Sequence, residues 1–236
     1  MEVAKTRGKL TPKVASEATT SRLAETGGKA AATRLRLLDA AAKVLADKGF
    51  TGMRLADVGE VAGVQAPAIY YHFNNKEELA GEVFTAGLVR SRLTLENVLE
   101  KHGESDALER LGLAIDAHLR MTARQSDYAR ASTHRITGDV PASVQEYCRP
   151  FEKAYAQVWA RLLLEAKEEG LLRDDIDLKS SQLMLLGALN AVSYSWRPDK
   201  GKAVDAVILS AQEMLLSGLS AEDRDWSDLE PAEVDW

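Results

Sequence analysis

Apolar residues recur every three or four positions through most of this chain, with polar residues filling the intervals. Leu38, Ala41, Ala42 and Leu45 stand at i, i+3, i+4 and i+7, which predicts a first helix over residues 31–48. Gly49 follows in the position of a C-terminal cap. A short second helix is expected over 55–62, with Val58 and Val61 turned inward and Gly63 ending it. Pro67 suits the first turn of a third helix, where its missing N–H has no helical partner anyway, and that helix runs to about Phe73. Asn74 or Asn75 then supplies the N-cap of a long fourth helix that opens KEELAGEVF. Longer helices are predicted over 107–124, 143–169, 178–195 and 203–217, with turns at Gly170 and Asp174-Asp175 and at residues 196–199. No β-like alternation of useful length occurs, so the predicted class is all-α.

The two ends break this pattern. Residues 1–30 are rich in Ser, Thr, Gly, Ala and Lys without a sustained stripe, and read as a mobile basic arm. Residues 219–236 form an acidic tail, expected to fray, that Trp226 and Trp236 can anchor. Charge follows the same division. Residues 1–80 hold 12 Lys/Arg against 9 Asp/Glu, a net of +3, whereas the rest hold 18 against 27, a net of −9, for −6 in all. A basic front on an acidic body fits a localised polyanion contact. The longest apolar stretch, residues 183–192, is too short to span a bilayer, and the N-terminus lacks the apolar core of a signal peptide. Cys148 is the single cysteine, which suits a reducing compartment, and no membrane partner is expected. The expected location is the cytoplasm. No metal-ligand spacing, catalytic nucleophile motif or phosphate-cradling glycine loop is present, so no enzyme activity, metal or cofactor is expected.

The most informative stretch is GVQAPAIYYHFNNKEEL, residues 63–79. A helix, a glycine, two short helices broken at Gly63 and a long helix make a helix-turn-helix layout, in which the second short helix enters the DNA major groove. Ile69 and Phe73, four apart, can share a core face. Ala66, Pro67, Ala68, Tyr71 and His72 then face the groove or its phosphate walls, and Tyr70 sits half in the core at the margin. Ala68 or Pro67 can touch a thymine methyl, and Tyr70, Tyr71 and His72 can donate to phosphates. Lys76 adds a cation beside the N-terminus of the fourth helix.

The stretch GFTGMRLADVGEVAGVQAPAIYYHFNNKEEL resembles the DNA-binding domain of the TetR family of bacterial transcriptional regulators. The shared features are Gly49-Phe50, Asp57-Val58, Gly63-Val64, Ile69-Tyr70, the aromatic Tyr71, His72-Phe73 and Asn75-Lys76-Glu77 with Leu79. The resemblance implies a DNA-binding domain over 31–91, its helix-turn-helix at about 54–73, with Gln65 to Ala68 and Tyr71 toward bases. Tyr70, His72 and Lys76 would face the backbone. It further implies a larger ligand-binding and dimerisation domain over 92–218. Three positions depart from the family pattern. Met53 and Arg54 stand where Ser or Thr is usual, and Arg54 can replace a hydroxyl–phosphate contact with a charged one. Gln65 replaces the usual small N-capping residue, so either the cap is weaker or its side chain reads a base, adenine being its bidentate partner. Gly59 stands where alanine is expected, at a cost of about 1 kcal/mol in helix stability.

Residues 178–192 are apolar on almost every face and include Gly187, Ala188 and Ala191, which permit close helix approach. With the helix over 203–217 they suggest a two-fold, four-helix homodimer interface using Leu185, Ala188, Val192, Val207, Ile208 and Ala211. Two reading helices so held demand two half-sites of double-stranded operator DNA, a helical turn or a multiple apart. His118, Met121, His134, Tyr155 and Trp159 are the candidates for a pocket that binds a small-molecule effector. The segment GALNAVSYSWRPDKG resembles a TetR subgroup in which some members respond to acyl-CoA thioesters. The expectation is a repressor released by an apolar or amphipathic effector, with the fourth helix as lever. The alternative is a helical ligand-binding or protein-interaction dimer whose DNA head is vestigial.

Overall fold

The computed structural model describes residues 28–124, 126–196, 203–222, 229 and 232. The expected basic arm, the turn over 197–199, Trp226 and Trp236 lie outside the described residues. The described residues form nine helices: α1 (Lys29–Gly52), α2 (Leu55–Ala62), α3 (Ala66–His72), α4 (Lys76–Lys101), α5 (Ala107–Ala123), α6 (Asp127–Ile136), α7 (Ala142–Glu168), α8 (Leu178–Ser195) and α9 (Val204–Leu219). Every predicted helix is present within a few residues of its expected limits, and the class is all-α.

α6 is the helix that periodicity missed. Its sequence, DYARASTHRI, buries only Ala131 fully and carries no apolar stripe. Its start is set instead by Ser126, whose Oγ accepts from Ala129 N at 3.2 Å. Val61 is a second correction, because it is exposed. The inward stripe of α2 is Leu55, Val58 and Ala62, and a residue three beyond Val58 falls off that stripe on the far side.

Two apolar clusters divide the molecule, and α4 belongs to both. Leu79, Ala80, Val83 and Phe84 join the first three helices in one cluster, while Leu95, Val98 and Leu99 join α5, α7, α8 and α9 in the other. The head's cluster also takes Ala131 from α6 and Val140, Val144 and Cys148 from the start of α7. Head and body therefore share packed side chains along a seam. Burial at that seam pushes the Cys148 thiol up to about 11, which leaves it protonated near neutral pH.

α1 breaks at Gly49, whose φ of 66° and ψ of 176° are non-helical. A body residue holds this break. Asp139, in the α6–α7 turn, accepts from Phe50 N at 3.1 Å and from Thr51 Oγ1 at 3.0 Å. A Cβ on residue 49 would stand 2.3 Å from that carboxylate, so glycine is required both by the backbone angle and by the close approach.

Beyond residue 222 two residues are described, and both pack on the body. Ala232 is buried and its N–H donates to Asp116 Oδ2 at 2.8 Å. Leu229 lies over α5 where Gly112 leaves room, since a Cβ there would be 2.7 Å from the leucine.

Candidate functional site

The three helices of the head sort the aromatic stretch by face. Ile69 and Phe73 are fully buried, as the four-residue spacing predicts. Tyr71 is 79% exposed and Tyr70 is 60% exposed, so Tyr70 stands further out than the half-buried position expected of it. His72 is partly buried with its ring edge-on to Tyr71, centroids 4.9 Å apart. Burial, and then the nearby Arg34, hold its pKa below the usual histidine value. In the free protein this favours the neutral ring, which can donate one N–H.

The front of α3 is open. Gln65 is the N-cap residue, with φ −78° and ψ 151°, and its side chain makes no capping bond. That leaves the cap weak and the Gln65 side chain exposed beside Pro67 in the first turn. The turn before it is tight. Gly63 takes the left-handed conformation at φ 65°, and a Cβ on Gly59 would approach Val64 O to 2.9 Å. The helix propensity lost at Gly59 is therefore exchanged for close packing of α2 on the turn. Arg54 is the exposed N-cap of α2 and makes no capping bond. Lys76 is less free than the sequence suggests, its Nζ lying 4.3 Å from the Phe50 ring centroid. Asn75 is the N-cap of α4, accepting from Glu78 N at 2.7 Å, while the Glu78 carboxylate accepts from Asn74 N at 2.8 Å. This reciprocal cap fixes the angle between α3 and α4.

A cavity of about 810 Å³ lies in the body, walled by α4 to α8 and by Ala46 of α1. His118, Met121, His134 and Tyr155, all expected in a pocket, line it. Trp159 does not: it is fully buried behind them, its ring edge-on to His118 at 6.0 Å and to Tyr155 at 6.2 Å. His118 Nδ1 and Tyr155 Oη are 2.7 Å apart, and His118 Nε2 is buried with no partner among the described residues. Burial lowers the His118 pKa to about 4 and raises that of Tyr155.

The buried histidine has a stability consequence. Its folded pKa lies below the unfolded value of 6.5, so the unfolded chain binds more protons between about pH 6.5 and 4. Stability is full above that window and falls as pH drops through it, by about 2 kcal/mol between pH 7 and pH 5. Chemical denaturation at the two pH values should show this loss in the native sequence and little of it in His118→Leu. An equal loss in both would assign the acid sensitivity elsewhere.

Sequence reasoning missed the polar wall. Arg90, Arg130, Arg135 and Arg149 all line the cavity, from α4, α6 and α7. Two lining residues also grip the DNA-reading head. Arg130 donates to Asp47 of α1 at 2.6 Å, and His134 Nε2 is 3.4 Å from Ala46 O. The missed signal is a cluster of Arg and His in a helix with no apolar stripe.

Comparison with known proteins decides what this pairing of head and cavity belongs to. Residues 37–83 match the family model described as bacterial regulatory proteins, tetR family, and residues 104–219 match that of a tetracyclin repressor-like C-terminal domain. The chain belongs to the TetR family. Its curated relatives include the fatty acid metabolism regulator protein of Bacillus subtilis, 23% identical over 187 residues, covering 78% of this chain and 94% of the relative. The transcriptional repressor KstR2 of Rhodococcus jostii is 24% identical over 204 residues, covering 84% and 95%. Among solved structures, a FadR regulator from Bacillus subtilis in complex with stearoyl-CoA aligns with TM-score 0.68 at 23% identity, over 78% of this chain and 98% of that one.

On the α8–α9 face of this TetR-family chain, two expected interface residues are corrected. Leu185 and Ile208 are buried in the chain's own core, and Val192 and Ala211 pack partly against it. The outward positions are instead Leu183 and Met184, each 71% exposed, with Ala188 and Met214, and nothing stands within 4 Å of a Cβ built on Gly187. Val207 is partly exposed. A helix apolar all round has no moment to say which stripe faces its own core, and contacts with α5 and α7 make that choice. Among the described residues no helix is long and apolar enough to cross a membrane, and no cluster of ligating side chains could hold a metal ion.

Proposed function

We propose that this protein is a homodimeric repressor that binds two half-sites of a palindromic operator and lets go when an amphipathic effector fills the body cavity. The acyl-CoA thioesters are the preferred class. The observation that carries this reading is the shared wall: Ala46 of α1 lines the cavity, and the lining residues Arg130 and His134 bond to α1. A ligand that moves α6 therefore acts on the reading head directly, in addition to any movement of α4. It can lower operator affinity only by preferring the arrangement in which the heads no longer match the half-site spacing.

Two further features support it. The cavity volume lies toward the upper end of the range of about 300–1,000 Å³ for ligand pockets. A solved structure of like fold was crystallised with stearoyl-CoA. The exposed apolar stripe of Leu183, Met184 and Met214 supplies a face for a second copy. Base contacts are assigned to Gln65, Ala66, Pro67, Ala68 and Tyr71, and backbone contacts to Arg54, Tyr70, His72 and Lys76. Such a regulator works in the cytoplasm, and its role is binding rather than catalysis.

The test is binding of the purified full chain to DNA from upstream of its own gene, across salt concentrations and with acyl-CoA thioesters of graded chain length. Six to ten phosphate contacts predict a loss of roughly 10³–10⁵ in affinity between 50 and 200 mM salt. At fixed salt at least one thioester should release the DNA. A flat salt response would favour a vestigial head, and release by no thioester would exclude that effector class.

A further inference from the structure

The cavity wall contains a cation that its own chain does not fully compensate. Arg135, on α6, has a side chain only 11% exposed. Among the described residues its one carboxylate partner is Glu152 of α7, and its Nε is buried without a hydrogen bond. Burial pulls its pKa below the ordinary arginine value, the sign of a charge held where water cannot reach it well. A buried guanidinium with an idle donor is costly unless something completes its shell. Arg149 stands three residues before Glu152 on the same face of α7, also lines the cavity, and has no carboxylate partner among the described residues. The other two arginines of the wall are occupied differently. Arg130 is held by Asp47 and Asp127, and Arg90 lies 5.4 Å from the centroid of the Tyr128 ring. The lining also holds Met121, Leu186 and the neutral His118–Tyr155 pair.

We infer that Arg135 and Arg149 form a seat for the acidic head of the effector, a carboxylate or phosphate, whose apolar chain runs toward Met121 and Leu186. The inference rests on the effector-cavity reading above and adds the residues that hold the acidic group, which is a phosphate if the effector is a coenzyme A thioester and a carboxylate only if it is a free acid. A guanidinium pair on two helices offers forked donors to two oxygens at once, and such charge-assisted bonds are the strong ones. Glu152 opposes an incoming anion, but it already accepts from Arg135, so the local balance of Arg135, Arg149 and Glu152 remains cationic. Arg135 directly follows His134, which contacts Ala46 of α1. An anion drawn to Arg135 therefore acts on the helix that holds the head.

The experiment compares decanoate, decyl phosphate and decanol by calorimetric titration of the full-length chain, native and in two variants. Arg149→Ala removes the unpaired cation, and Arg135→Gln with Glu152→Gln replaces the ion pair without stranding either charge. In the native chain at least one anion should bind about tenfold or more tightly than decanol, as a hydrogen bond to a charged group predicts. Each variant should shrink that margin severalfold while keeping its decanol affinity, which also reports an intact cavity. Preference for decyl phosphate would identify a phosphate-bearing head, and preference for decanoate a free acid. Decanol binding as tightly as both anions, or a margin unchanged in both variants, would overturn the seat and leave the effector cavity standing. Binding of none of the three would overturn both.

Discussion

Replacing Tyr71 and Lys76 together with alanine should lower operator affinity by about a hundredfold or more, with no loss of fold. The magnitude follows from the chemistry of the two contacts. The Tyr71 hydroxyl on a base edge contributes about 1 kcal/mol and the Lys76 ammonium on a phosphate about 1.5–3 kcal/mol, and about 1.4 kcal/mol is tenfold in affinity. A dimer loses both contacts twice, which leaves room for non-additivity and still exceeds a hundredfold. The fold should survive because Tyr71 is 79% exposed and touches chiefly the edge of His72. Lys76 gives up its contact with the Phe50 ring, a cation–π interaction of about 0.5–1 kcal/mol at such a site. Fluorescence anisotropy on operator DNA and a thermal melt, run on the same preparation, separate the two effects. Full-strength binding by the double variant would refute the residue assignment. A shallower salt slope alongside the loss would confirm that phosphate contacts were removed. Gln65→Ala should differ in kind, relaxing the choice among operator sequences by about 1–3 kcal/mol at one base pair.

The second large effect concerns stability. Trp159→Ala should destabilise the protein by about 3–5 kcal/mol, the cost of emptying a fully buried large aromatic site. The indole is completely inaccessible and packs edge-on against both His118 and Tyr155. For a chain of this size, each kcal/mol lowers the melting temperature by roughly 2–4 °C, so the melt should shift by about 10 °C. Trp159 backs the wall of the effector cavity, so acyl-chain binding should also change, because His118 and Tyr155 lose the surface that holds their rings. A melt shifted by less than about 3 °C would mean that α7 closes over the gap, which the packing of Leu162, Leu163 and Val158 around it does not favour.

The reading head was legible because its signals are local. The φ of 65° at Gly63, the proline in the first turn of α3 and the Asn75 cap each depend on a few neighbouring residues, and each occurs where spacing placed it. Ile69 and Phe73 were separable from Tyr71 by a four-residue period alone. The body was legible as helices but not as surfaces. Leu183 and Leu185 are the same residue type two positions apart, yet one is exposed and the other buried, because only one faces α5 and α7. α6 was invisible for the opposite reason. Apart from Ala131 and the Tyr128 ring, its bonds to α1 are polar, made by Arg130, His134 and the Tyr128 hydroxyl, which bonds Asp39 at 3.0 Å, so two apolar contacts were too few to read as a helical period.

By itself the sequence determined the helical class, the order of every helix but α6, and that Ile69 and Phe73 turn inward while Tyr71 turns out, since these rest on short-range periodicity, capping and turn chemistry. Tertiary structure alone decided three further matters: which stripe of α8 and α9 is left exposed, that Asp139 clasps the break in α1, and that Arg135 Nε is buried beside a cavity without a partner among the described residues. The physical reason is common to all three. Burial and charge compensation depend on residues brought together from distant parts of the chain, such as Phe50 and Asp139, 89 positions apart, and no local pattern encodes that proximity.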